Sequence, residues 1–220
     1  MSEALLTQLV GLGAGAVLLT AVLVLWLREL AVVIRVFAAQ GVALAGLVAV
    51  LAVHEGSGEL AVVAVGVLVL RAGLLPHLLR RALSAAEGER RVTRPLVNVA
   101  ASLLAAAVLT LLALAVSQPL VALAPSPVTA AIPVGMAVVL IGFFVLVTRR
   151  RALSQLTGFL LMDNGITAVG FLTGAGVALI VELGVFLDVL LAVLVLGVLT
   201  GRMRDVFGRT DLDELRELHD

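Results

Sequence analysis

GFLLMDNGITAVGFLTG (Gly158–Gly174) is the stretch on which the fold turns. It is apolar from end to end except for Asp163 and Asn164 near its middle. With its flanks it makes a run over 152–175, long enough for the roughly 20 residues that carry a helix across a bilayer. A charged Asp at the centre of such a helix costs at least ~2.5–3.5 kcal/mol on insertion scales, while each Leu returns only ~0.3–0.6. Gln155, Thr157 and Asn164 thin the margin further. If this segment spans a membrane, Asp163 must therefore face protein or water. Thr167, Gly170 and Gly174 continue its stripe at helical spacing, which suits a close helix contact.

The rest of the chain agrees with a membrane reading. Of its 220 residues 62% are hydrophobic and 14% charged, where soluble domains are nearer half apolar and a quarter charged. The absence of cysteine excludes disulfides, thiolate zinc sites and cysteine-held iron–sulfur clusters. His54, His77 and His219 are scattered, so no metal or cofactor site is expected. A formal net charge of zero argues against nucleic acid. The opening MSEALLTQLVGLGAGAVLLTAVLVLWL lacks a basic start and is long for a cleavable leader, so it reads as a retained span. Its Gly11, Gly13 and Gly15 follow no strand, and they suit close helix packing better than a phosphate loop.

Seven stretches meet the length requirement: 4–27, 30–53, 59–79, 96–117, 128–148, 152–175 and 179–200. The chain has fifteen arginines and no lysine. Arg28 falls in the first connection, Arg80, Arg81, Arg90, Arg91 and Arg94 in the third, and Arg149–Arg151 in the fifth. Arg202, Arg204, Arg209 and Arg216 follow the seventh span, and the even-numbered connections contain none. The positive-inside rule then puts the N-terminus outside and the C-terminus in the cytoplasm. The expectation is an all-α polytopic bundle of seven transmembrane helices, in a bacterial or archaeal cell (inner) membrane. Residues 1–95 form an N-terminal three-helix half with a basic loop, 96–148 two linking helices, 149–201 the C-terminal helices and 202–220 a cytoplasmic tail helix.

Only Arg35 and Arg71 remain inside spans. Arg35 lies near its helix end and can snorkel. Arg71 lies about eight residues in, about 12 Å at the helical rise, where it either snorkels under strain or takes a buried partner. Asp163 and Asp188 each sit about 17 Å from the cytoplasmic face on consecutive antiparallel spans, so they share one depth. Glu182 is nearer the outer face, as a third member of the set or a wet interfacial acid. Burial raises a carboxyl pKa and a neighbouring arginine lowers it. Two such acids can therefore alternate between protonated and ionised forms, or simply lock helices together. Asn164, Arg71, Gln40 and Thr167 are the candidate polar supports.

A shift of 123 residues aligns Arg28 with Arg151, Leu30 with Leu153, Gln40 with Asp163, Glu59 with Glu182 and Leu60 with Leu183 without a gap. Both copies start on the cytoplasmic side, as in a parallel repeat. The first copy carries neutral Gln40 where the second has Asp163, and Arg71 in addition.

RRRALSQLTGFLLMDNG, FLDVLLAVLVLGVL and the tail RTDLDELREL together resemble the E subunit of hydrogenase-4 and formate hydrogenlyase-type complexes. The second half also resembles the small K subunit of respiratory complex I. In that family, glutamates on adjacent helices lie on a lateral proton route. Asp163 matches the acid of the family's Glu–Asn–Gly segment and Asp188 that of the following helix. Asp163 is one methylene shorter, and against complex I it is displaced by three residues, nearly one turn. The resemblance implies a non-catalytic membrane-arm subunit without cofactor of its own. Its partners would be antiporter-like and other membrane-arm subunits, with a hydrogenase or related redox module on the cytoplasmic side. In TDLDELRELHD, Thr210 and Asp213 have capping-box spacing, which suits a docking helix or one lying on the bilayer.

Three roles follow as expectations: lateral proton transfer through Asp163, Asp188 and Glu182, a structural spacer of the same arm, or an independent secondary transporter. No catalytic set can be assembled from these residues, so any enzymatic activity would belong to the complex.

Overall fold

The structure, a computed structural model, describes residues 1–85, 98–149 and 152–174. The expected seventh span, the tail helix, Glu182 and Asp188 lie outside the described residues.

Every described element is helical. The helices are α1 (Glu3–Trp26), α2 (Leu30–Glu55), α3 (Gly58–Val67), α4 (Leu75–Ala85), α5 (Val99–Leu123), α6 (Ile132–Thr148) and α7 (Ala152–Leu172). A π-helical segment, Leu68–Leu74, joins α3 to α4 in one continuous rod. Among the described residues, five rods are long and apolar enough to cross a membrane: Glu3–Trp26, Leu30–Glu55, Gly58–Arg81, Val99–Leu123 and Thr129–Thr148. The chain is thus an all-α, multi-pass membrane protein. α7 has the length, but Gln155, Asp163 and Asn164 lower its hydropathy and it is not among the five.

Local chemistry sets the helix ends. The Ser2 hydroxyl accepts from the Leu5 N–H at the start of α1, and Asn98 Oδ1 accepts from the Ala101 N–H at the start of α5. Gly56 ends α2 in the left-handed conformation (φ 64°), which costs glycine little, and Ser57 at once caps α3. Before α6, the Ser126 and Thr129 hydroxyls each accept the other residue's backbone N–H, and Pro133 occupies the first turn, where no amide is missed.

Two boundaries differ from the sequence reading. The fourth span was expected to end at residue 117. Instead α5 runs through Pro119 to Leu123, since apolar Leu120, Val121 and Leu123 extend the hydrophobic surface past the lost hydrogen bond. The third span is not uniformly α-helical. Pro76 has no N–H to offer the Ala72 carbonyl, and its ring crowds that carbonyl. Just ahead of it the ladder widens, and the Leu75 N–H bonds the Leu70 carbonyl five residues back.

The tightest packing joins α6 to α7. An added Cβ on Gly165 would lie 2.6 Å from the Val139 nitrogen, and one on Gly158 the same distance from that of Leu146. Gly142 would likewise strike the Met162 backbone, and Gly135 the Val169 side chain at 2.9 Å. Glycines seven apart on each helix let the two backbones nearly touch, which is how membrane helices gain contact without a hydrophobic drive. α1 packs on α2 and α6, and α2 also meets α3, α4 and α7. α2 is therefore central, and α7 is held firmly enough to present its polar residues at a fixed place.

Candidate functional site

The site grows outward from Arg71. It sits midway along the π segment and is only 3% exposed. Gly41 of α2 makes this placement possible: a Cβ there would lie 2.7 Å from the Arg71 carbonyl carbon and 2.9 Å from the Ala72 nitrogen. Backbone presses on backbone, and the guanidinium is directed toward α7.

There it meets a matched set. Arg71 Nη1 is 2.6 Å from Asp163 Oδ2, both side chains being buried. The same nitrogen donates to Asn164 Oδ1, and Nη2 donates to Thr167 Oγ1 at 2.7 Å. Thr167 lies four positions from Asp163 and three from Asn164, so it shares a side of the helix with each of them. A guanidinium only donates, so the Asn164 amide must turn its oxygen to Arg71. Its Nδ2 is then free to donate to Gln40 Oε1, at 2.7 Å. This leaves Gln40 Nε2 to donate to the Val17 carbonyl of α1, at 3.0 Å. Gln40 and Asn164 are both wholly buried. One cation thus fixes the orientation of two amides, and a polar row crosses the bundle from the π segment through α7 and α2 to α1.

The sense of this arrangement is electrostatic. An arginine alone at this depth is costly, and so is a lone carboxylate. Together they compensate one another, provided the remaining donors and acceptors are met. Asp163, Arg71, Asn164, Gln40 and Thr167 are therefore brought together, as interior residues rather than lipid-facing ones. Arg35 is exposed, with its Nε 3.4 Å from the Ala31 carbonyl. The repeat-related positions also converge: α2 and α7 are in contact, and Gln40 touches the residue next to Asp163. Sequence reasoning missed the roles of Gly41 and the Val17 carbonyl. A glycine beside the only amide of α2 was the available signal for the first, and no side-chain pattern marks the second.

No family model matches the chain, and no solved structure matches it. A full-length relative is the "Uncharacterized protein Rv0085" of Mycobacterium tuberculosis (strain ATCC 25618 / H37Rv), 50% identical over 220 residues and covering 100% of both chains. At that identity over the entire length, the chain belongs to the family of this mycobacterial protein.

Proposed function

We propose that the chain is a non-catalytic membrane subunit of a complex I-like assembly of the group 4 NiFe-hydrogenase type in a bacterial membrane. Within it, the Arg71–Asp163 pair fastens the third rod to α7. The resemblance of RRRALSQLTGFLLMDNG and FLDVLLAVLVLGVL to the E and K subunits supports the assembly. Antiporter-like subunits and a cytoplasmic redox module are the corresponding partners. The buried ion pair, with Asn164, Gln40 and Thr167 around it, is the observation that carries the fastening role.

The pairing bears on the alternative, lateral proton transfer. Asp163 is engaged by Arg71 at 2.6 Å, so a relay through it requires the pair to open. The row from α7 to α1 runs laterally, in the direction such transfer requires, and this favours a gated form of that second reading. Arginine and amides do not relay protons at neutral pH, so the row alone is no path.

One comparison separates the two. Asp163→Asn is introduced into the organism's intact complex, and both the yield of assembled complex and proton translocation per complex are measured. Fastening lowers the yield and leaves translocation per complex normal. A relay gives normal yield and lost coupling. If neither quantity changes, both readings fail. Mass spectrometry of the gently solubilised complex tests the assembly itself, through the subunits that copurify.

A further inference from the structure

A second arginine is buried at the end of the bundle where α1 and α6 finish and α2 and α7 begin. Arg149 follows α6 directly, its N–H bonded to the Val145 carbonyl at 3.1 Å. It lies just past the span Thr129–Thr148, yet it is only 8% exposed, and its Nη1 is buried without a hydrogen-bond partner among the described residues. Burial lowers the Arg149 pKa from its ordinary value, but a guanidinium stays charged even so.

Arg149 lines a cavity of about 10 Å³. Its walls include Val24 of α1, Leu27 just after it, Leu30 of α2, and the hydroxyl residues Ser154 and Thr157 of α7. The volume admits about one oxygen atom. A water there would complete a hydrogen bond and leave the charge uncompensated, and a buried charge needs a counter-charge. The level of the cavity indicates where that charge comes from. Trp26, 63% exposed, closes α1 at the same end, in the place tryptophan takes at a membrane interface. Arg28, Arg80 and Arg81 are exposed around it. Basic pockets between helix ends at headgroup depth select anionic lipids.

We propose that Arg149 holds one phosphate oxygen of an anionic phospholipid headgroup in the cavity between α1, α2, α6 and α7. The headgroup enters by a single oxygen, which matches the small volume. An oxyanion of this chemistry also exists as free phosphate, so the test has to separate the two sources.

The full-length chain is purified in a neutral detergent and its melting followed as short-chain phosphatidylglycerol is added. Inorganic phosphate at matched ionic strength is run in parallel. The wild type, Arg149→Met and Arg149→Lys are compared. In bare detergent Arg149→Met melts at or above the wild type, because it removes an uncompensated charge. Phosphatidylglycerol then raises the wild-type Tm above that of Arg149→Met, and its half-saturating concentration is at least roughly tenfold higher in that variant. Arg149→Lys keeps a charge without the fork and falls between the two. Equal stabilisation by inorganic phosphate upholds the oxyanion site and overturns the lipid as its source. If phosphatidylglycerol acts alike on wild type and Arg149→Met, or on neither, the proposal is wrong, and a partner subunit's carboxylate becomes the missing anion.

Discussion

Removing one partner of the Arg71–Asp163 pair should cost more than removing both. In Asp163→Asn the amide can still accept from Nη1, and Nη2 keeps Thr167 at 2.7 Å, so the hydrogen bonds largely survive while the counter-charge is lost. Breaking a buried pair in this way costs about 3–5 kcal/mol. Taking 3 kcal/mol, and a Tm shift of ~2–4 °C per kcal/mol for a chain of this size, the variant should melt about 6–12 °C lower. Arg71→Met should be milder, since Asp163 can take up a proton where a guanidinium cannot lose one. The double variant Arg71→Met/Asp163→Leu removes both charges and should recover most of the loss. The chain is purified in neutral detergent and unfolded by heat, with Trp26, its single tryptophan, as the fluorescent reporter. The double-mutant cycle, closed with the single variant Asp163→Leu, should return a coupling of at least about 2 kcal/mol. Single variants within about 0.5 kcal/mol of wild type, or a coupling near zero, would show that the pair does not hold the helices and would sink the fastening role.

Gly41→Ala forces a Cβ to 2.7 Å from the Arg71 backbone and should destabilise by about 1–3 kcal/mol in the same assay. Gly11→Ala, which meets nothing within 4 Å, is the matched control and should be neutral or slightly stabilising through helix propensity. Gly142→Leu should separate α6 from α7, seen as a lower Tm and faster proteolysis near Met162, because its side chain would enter the Met162 backbone. For topology, the chain has no cysteine, so single cysteines can be placed at will. Ser57→Cys and Ser126→Cys should react with a membrane-impermeant maleimide from outside intact cells, and Arg28→Cys only after lysis; the reverse pattern would invert the orientation.

What could be read from the sequence, and what could not, follows from range. Apolar length is a local pattern, and it located the described spans to within a few residues, except for the end of α5, which lies six residues further on. The interior facing of Asp163 was legible because solvation cost leaves a mid-span carboxylate few alternatives, and Arg71 was the one deep cation able to answer it. Gln40 emerged only through its alignment with Asp163. The partners and their order were not legible, since they depend on how rods far apart in the chain are rotated. The irregular winding before Pro76 was signalled by Gly73 and Pro76 within an otherwise apolar run. Those residues read as ordinary span because one proline near a helix end is often harmless. The burial of Arg149 was hidden inside a run of three arginines that resembles any solvated connection.

The wide turn at Leu68–Leu74 makes chain length itself part of the design. A hydrogen bond reaching five residues back encloses one amino acid more than an α-helical turn does. The wide turn takes up that extra residue locally, so deleting one residue there would let the backbone close regularly and leave the rod beyond it nearly in place. The change would fall on Arg71 itself, at the middle of the segment, whose side chain would lose the direction toward α7 that the wide turn gives it, without any change in its chemistry. An insertion or deletion in these seven positions is therefore a harsher change than most substitutions, and it would strand Asp163 without touching it.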